Sequence, residues 1–297
     1  MIYSHIPVML SEIISFLNPK SGGKFIDCTL GGAGYTTAIA SLVGEKGKVI
    51  GIDLDELAIE NAKRLIKEKG LNNIVLVRSN FKNLDQVADS VFSKEFLFDG
   101  IVFDLGLSSA QLDDESRGFS FKSEKPLDMS FSKDGELSTR EIVNSYSLVE
   151  LTEIFRNYGE EPKAYRIAKE IVLSRKKQRI ETTADLLKII EKVSPLRPWS
   201  KIHPATKVFQ ALRMETNQEL EVLEIALEKA ETKLKKGGRL VVVSFHSGED
   251  RIVKNFFRDR KNKSFKVLSK KPIIPSEFET RNNRRARSAK LRVGEKI

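Results

Sequence analysis

The sequence predicts an α/β fold, a mostly parallel sheet with helices on both faces, interrupted by a helical insertion. Three observations predict it. Short β-branched runs alternate with helical stretches up to Gly106; helix-only signals follow; the alternation then returns in the last third of the chain. Alternating strands and helices imply right-handed crossovers and a parallel sheet covered on both sides.

The early strands are "KFIDCT" (24–29), "KVIGID" (48–53), "NIVLVR" (73–78) and "FDGIVFDLG" (98–106). Between them "YTTAIASLVG" and "DELAIENAKRLIKEKG" read as helices; the second sets Leu57, Ala58, Ala62, Leu65 and Ile66 at helical spacing and stops at Gly70. Residues 107–136 are polar and read as an ordered loop. Capping-box starts follow at Ser138–Glu141, Ser147–Glu150 and Thr182–Asp185. "NQELEVLEIALEKAETKLKKGG" reads as one long helix ending at its glycines, and "RLVVVSFH" (239–246) as a buried strand. "GEDRIVKNFFRD" reads as a helix, and "SFKVLS" and "SAKLRV" (288–293) as the last strands. The domain division is therefore 1–106 with 214–297 for the sheet, and 107–213 for the insertion.

Composition narrows the function. No apolar run approaches the roughly 20 residues of a membrane span, and the N-terminus lacks a signal-peptide pattern, so a cytoplasmic protein is expected. One cysteine, Cys28, excludes an intramolecular disulfide; with three histidines there is no zinc-like cluster, and no metal is expected. The net charge of +10 is uneven: residues 233–297 carry 20 Lys/Arg against 6 Asp/Glu, and 163–213 carry 13 against 4. Such basic blocks favour nucleic acid over a merely solubilising surface.

The turn "DCTLGGAGYTT" (27–37) sits between the first strand and the first crossover helix. A dinucleotide fingerprint needs a third glycine where Thr37 stands. Asp27 at the strand end would repel a pyrophosphate but attract the ammonium and sulfonium of S-adenosylmethionine. Asp53, ending the second strand, suits ribose hydroxyls; Asn80 and Phe81, after the third, suit an adenine; Asp104 ends the fourth. Ligands in open α/β sheets bind outside the carboxyl ends of the strands, so these positions converge. The pattern favours S-adenosylmethionine over a nicotinamide cofactor.

These residues closely resemble a known family. "HIPVML", "DCTLGGAGY", "GIDLD", "FDGIVFDLGLSSAQLDDESRGFSF", "PLDM", "ATKVFQALRMETNQELEVLE", "SFHSGEDRIVK" and "RSAKLRV" are similar to the bacterial small-subunit ribosomal RNA methyltransferase H family, from about His5 to Val293. The resemblance implies a class I (Rossmann-like) S-adenosylmethionine methyltransferase fold. It also implies N4-methylation of a cytidine in the decoding centre of 16S rRNA, position 1402 in the usual rRNA numbering. Its cofactor contacts fall here on Ala33, Gly34, Tyr35, Asp53, Phe81, Asp104 and Gln111. Three positions depart from the family: Tyr35 for a frequent histidine, Cys28 for a small residue, and Gly248 for a leucine, which would loosen the following helix and the orientation of His246.

Transfer to an exocyclic amine needs an acceptor for an N–H proton, because the amine lone pair is delocalised into the ring. Asp104 is the first candidate, in "DLGL" rather than the Asp/Asn-Pro-Pro-aromatic turn of many amino-methyltransferases; Ser108, Ser109 and His246 stand behind it. C5 methylation would need a cysteine nucleophile, and Cys28 reads as a packed small residue. "SRKKQR" (174–179), Lys163, Arg166, Lys169, Arg197, Lys201 and "RNNRRARSAK" (281–290) are the expected phosphate contacts, with Trp199 packing in a core or stacking on a base. His5 and His203 carry no assignment. Extrusion of the target base is expected. The oligomeric state is open, a homodimer included. A non-catalytic ribosome-assembly factor and a nicotinamide oxidoreductase are the alternatives, and titration with S-adenosylhomocysteine and NAD(H) separates all three.

Overall fold

The computed structural model describes residues 7–106, 118–119, 124–131, 137–196 and 203–297. The chain divides into two compact units: residues 1–109 with 220–297, and residues 110–219.

In the first unit one sheet holds β1 (Lys24–Asp27), β2 (Lys48–Asp53), β3 (Ile74–Arg78), β4 (Phe98–Asp104), β5 (Leu234–Ser244), β6 (Phe265–Val267) and β7 (Lys290–Lys296). Their order is β3-β2-β1-β4-β5-β7-β6. The first five strands pair in parallel, and β7 runs antiparallel to both β5 and β6. Central strands rich in Ile, Val and Phe are the pattern for a sheet buried on both faces. One face packs Ile26, Ile101 and Phe103 against α4 (Leu84–Val91), α10 (Glu219–Lys233) and α11 (Ser247–Arg260). The other packs Phe25, Val49, Val102 and Val241 against α1 (Leu10–Leu17) and α2 (Gly34–Val43). The crossover α3 (Glu56–Glu68) buries Ala58, Ile59 and Ala62 and is capped by Asp55, whose carboxylate accepts from Leu57 N at 3.1 Å. Strand order reverses between β1 and β4, the position where such sheets open a crevice at their carboxyl edge.

The sequence pattern misplaces the end of the long helix in this unit. α10 stops at Lys233, and "LKKGG" begins β5 instead of finishing the helix. The Lys233 ammonium is buried against Asp89 and the Lys94 carbonyl, which pins the helix end. Leu234 pairs with Phe98, and the register then shifts so that Gly100 pairs with Arg239; Gly237, at φ +78°, lies in that irregularity.

The second unit holds α5 (Thr139–Ser145), α6 (Leu148–Asn157), α7 (Ala164–Arg175), α8 (Thr183–Val193) and α9 (Ala205–Thr216). All three expected capping boxes form, at Ser138/Glu141, Ser147/Glu150 and Thr182/Asp185. α9 runs past residue 213 to Thr216, whose hydroxyl lies 2.6 Å from that of Thr139 in the buried interior. Among the described residues no helix is long and apolar enough to cross a membrane.

Candidate active site

The carboxyl ends of β1, β2 and β4 each finish in an aspartate, and the local chain fixes all three. Gly31, at φ +44°, lets the turn after β1 fold back so that its N–H donates to Asp53 Oδ2 at 2.8 Å. Asp53 Oδ1 accepts from Asp55 N at 2.9 Å. Each carboxylate oxygen retains a lone pair for a ligand hydroxyl. Burial raises the Asp53 pKa to about 6 against its two backbone hydrogen bonds, with Asp55 and Asp27 adding repulsion.

Asp27 does not face the turn as an open anion, which corrects its expected role. It is fully buried; Oδ1 accepts from Thr29 N at 3.1 Å and Oδ2 from the Thr36 hydroxyl at 2.6 Å. It latches the end of β1 to α2, and burial holds its pKa at about 6. Its charge still acts at a distance, raising the pKa of Asp53 and Asp104.

Asp104 carries the strongest perturbation of the three. Burial, with repulsion from Asp27 and Glu249, lifts its pKa to about 8 despite a hydrogen bond with Tyr35. Its Oδ2 lies 3.1 Å from the Tyr35 hydroxyl, while Oδ1 is buried with no hydrogen-bond partner among the described residues. The Tyr35 oxygen also lies 2.5 Å from the Val8 carbonyl. One hydroxyl proton cannot serve both acceptors. The shorter contact takes it, and a neutral Asp104 then donates its own proton to the Tyr35 oxygen. Ionising Asp104 requires the Tyr35 hydroxyl to choose between carboxylate and carbonyl.

Tyr35 makes both contacts from within the protein. It is 3% exposed and positions Asp104 from beneath the turn, its own pKa pushed far up by burial. Gly34 is closely packed: a Cβ there would lie 2.9 Å from Pro7 Cβ and Cγ. Ala33 takes a left-handed conformation (φ 59°) as the N-cap of α2 and is buried. Phe81 is half-buried in the 3-10 turn after β3, its ring edge-on to Phe103 at 5.6 Å between centroids. Asn80 caps that turn by accepting from Lys82 N. Gln111, Ser108 and Ser109 lie outside the described residues, as do His5, Arg197, Trp199 and Lys201.

His246 is the N-cap of α11. Its Nδ1 accepts from Glu249 N at 3.3 Å, and Glu249 returns a carboxylate oxygen to Phe245 N at 2.8 Å and His246 N at 3.3 Å. With Nδ1 accepting, a neutral ring carries its hydrogen on Nε2, 3.1 Å from Glu249 Oε1. Gly248 does not loosen this helix start, because the reciprocal cap closes around it; a Cβ at 248 would come 3.2 Å from His246 Nδ1.

Several of the expected phosphate ligands are engaged elsewhere. Arg175 donates to the Val143 carbonyl at 2.8 Å, Lys163 to the Ser194 hydroxyl at 3.1 Å, and Arg179 pairs with Glu181 at 2.8 Å. Lys290 reaches Asp250, which also pairs with Arg292, a residue outside the expected set. Arg166, Lys169, Lys176, Lys177, Arg281, Arg284, Arg285 and Arg287 are exposed. Residues the sequence did not single out hold the site together. Thr29 accepts from Asp104 N at 2.6 Å, Thr36 clasps Asp27, and the Pro7–Val8 segment covers α2. Thr29, two residues past Asp27 in the turn after β1, was the available signal.

The donor set suits a cationic ligand. Asp53 and Asp104 have pKa values raised by burial and repulsion, and one Asp104 oxygen is orphaned, so a positive charge beside them would offset that cost. Fold and site together define a class I methyltransferase dependent on S-adenosylmethionine. A model of the MraW methylase family matches residues 2–297. The chain is 46% identical to the ribosomal RNA small subunit methyltransferase H of Caldicellulosiruptor saccharolyticus, over 99% of this chain and 100% of that protein. To the protein of that name from Clostridium botulinum it is 43% identical, over 99% of both chains. The chain belongs to the MraW methylase family. Its fold is also that of a crystal structure described as a candidate rRNA methylase from Clostridium thermocellum, at 18% identity and TM-score 0.50, covering 99% of this chain and 100% of that one.

Proposed function

We propose that this chain methylates the exocyclic N4 of a cytidine in the decoding centre of 16S rRNA, position 1402, with S-adenosylmethionine as donor. Relatives named for the small-subunit rRNA reaction, at 43–46% identity over the full length, support the substrate class. The observation that carries the chemistry is Asp104, a strand-end carboxyl at the switch point with one oxygen buried and orphaned.

S-adenosylmethionine, when bound, supplies an electrophilic methyl group. Asp53 would hold it through the second lone pairs of its carboxylate, and Phe81 offers an apolar ring beside it. Asp104 is largely neutral at pH 7 with no ligand present, and a neighbouring positive charge draws it to the ionised form. The ionised carboxylate accepts a hydrogen bond from the cytosine amine and localises the nitrogen lone pair; Tyr35 fixes where it points. Cys28, the chain's one cysteine, is buried in the core with its thiol pKa pushed well up by burial and by Asp27, so it cannot act as a nucleophile toward C6. The helical unit acts as the RNA-recognition subdomain through its exposed Arg166, Lys169, Lys176 and Lys177, and the protein works in the cytoplasm with its rRNA.

Mass mapping of 16S rRNA from a strain lacking this gene tests the reading. Loss of one methyl group at the decoding-centre cytidine supports it. An unchanged methylation map overturns it.

A further inference from the structure

Phe278 is 79% exposed and Ile274 68%, the two most exposed large apolar side chains among the described residues. Both lie in the segment that precedes β7. Scattered surface apolars need no explanation, but this pair stands in a strongly basic stretch: residues 270–290 carry seven Lys/Arg against two Asp/Glu.

The segment is firmly anchored. Ile273 exchanges backbone hydrogen bonds with Leu291 at 2.9 and 2.8 Å. α12 (Glu277–Asn282) starts at Ser276, whose hydroxyl accepts from Glu279 N, and the Glu279 carboxylate accepts from Met9 N at 2.6 Å. In the 3-10 turn Arg284–Ser288 that follows, Ala286 is buried in the core with Ala289 close behind, while Arg284, Arg285 and Arg287 point outward. A rigid base therefore presents Phe278 and the arginines together.

Its place on the sheet connects it to the site. β7 enters at the carboxyl end of β5, with Lys290 opposite Ser244. Glu279 holds Met9, and the adjoining Val8 carbonyl receives the Tyr35 hydroxyl that contacts Asp104. The basic, aromatic segment thus borders the ligand edge of the sheet.

We propose that residues 274–287 form a single-stranded RNA platform on which an unpaired base of the substrate stacks against Phe278, with Arg284, Arg285 and Arg287 on the flanking phosphates. An exposed aromatic ring among arginines at a rigid edge is the chemistry that binds single strands. A second copy of the chain is disfavoured as occupant, because a two-fold contact would set this cationic patch against itself. The proposal rests on the rRNA methyltransferase reading and adds the stacking site.

The test uses the full-length protein and protein-free 16S rRNA. Phe278→Ala is expected to weaken RNA binding about tenfold with an unchanged salt slope, because stacking releases no counterions. Arg284→Ala with Arg287→Ala is expected to weaken binding and reduce the slope by about two. Phe278→Trp, made in a Trp199→Phe background so that the introduced indole is the chain's one tryptophan, should keep the affinity of the Trp199→Phe protein and lose fluorescence when RNA binds. Affinity for S-adenosylhomocysteine should stay constant throughout. Wild-type RNA affinity in Phe278→Ala, or an indole signal that RNA does not quench in Phe278→Trp, overturns the platform while leaving the enzyme reading intact. Unchanged RNA binding with a dimer that dissociates on Phe278→Ala also overturns it, in favour of a self-interface. Absence of RNA binding by the wild type instead refutes the underlying function.

Discussion

Replacing Asp104 by asparagine should stabilise the protein while abolishing its activity. The side chain keeps its shape, and its amide can donate to the Tyr35 oxygen as the neutral carboxyl does. What disappears is the charge. Asp104 binds its proton more tightly in the folded chain (pKa about 8) than in the unfolded one (ordinary value 3.8), so the folded state is favoured by acid. Wild-type stability then falls as pH climbs from about 4 to about 8, and the penalty is constant above both values. Linkage puts that penalty at about 4 kcal/mol at pH 7 and about 0.5 kcal/mol at pH 4. For a unit of this size, a gain of about 2–4 kcal/mol at pH 7 corresponds to a Tm rise on the order of 5–10 °C. Thermal denaturation of the ligand-free wild type and Asp104→Asn, scanned from about pH 4 to about pH 9, reads this directly. The Tm difference should open with rising pH and level off near pH 8. A variant that is equally or less stable than wild type above that pH, or a difference independent of pH, refutes the assignment of a strained buried carboxyl.

The same linkage predicts that affinity for S-adenosylmethionine rises with pH up to about 8, by at most about tenfold per unit. Affinity for S-adenosylhomocysteine, which lacks the sulfonium charge, should rise less; calorimetry showing parallel profiles would contradict this. Gly34→Ala should cost about 1–3 kcal/mol, because the added methyl meets the Pro7 ring at 2.9 Å, and hydrogen exchange should quicken around Val8 and Tyr35; unchanged protection would show that the segment yields freely. Lys176→Ala with Lys177→Ala should flatten the salt dependence of RNA binding at unchanged Tm. Arg175→Ala should lower Tm with the slope retained, since its guanidinium holds the Val143 carbonyl; an effect on the slope alone would return Arg175 to the RNA surface.

Signals confined to a few residues were legible in the sequence. The capping boxes depend on residues three apart, and all three form. The strand-end acids Asp53 and Asp104 were visible because β-branched runs mark where each strand stops. The glycine turn was legible as a strand-to-helix turn, but the packing partners of its members were not. Asp27 is spent on Thr29 and Thr36, Gly34 on Pro7, and Tyr35 on Val8 and Asp104. Each of those roles needs a packing partner whose placement depends on the finished fold. Charge was misleading for a related reason. Arg175, Lys163 and Lys290 look like phosphate ligands by composition, yet each finds a partner at least 31 positions away. "LKKGG" reads as a helix end because lysines and glycines terminate helices and suit bulged strands alike.

The identity of the methylated atom is the most direct test of the proposed chemistry. Purified protein, isotopically labelled S-adenosylmethionine and small subunits lacking the modification should yield labelled N4-methylcytidine after digestion to nucleosides. Asp104→Asn should yield none while still binding S-adenosylhomocysteine. Label in 5-methylcytidine, in another nucleoside, or undiminished in Asp104→Asn would contradict the assignment of an amine methyltransferase acting through Asp104.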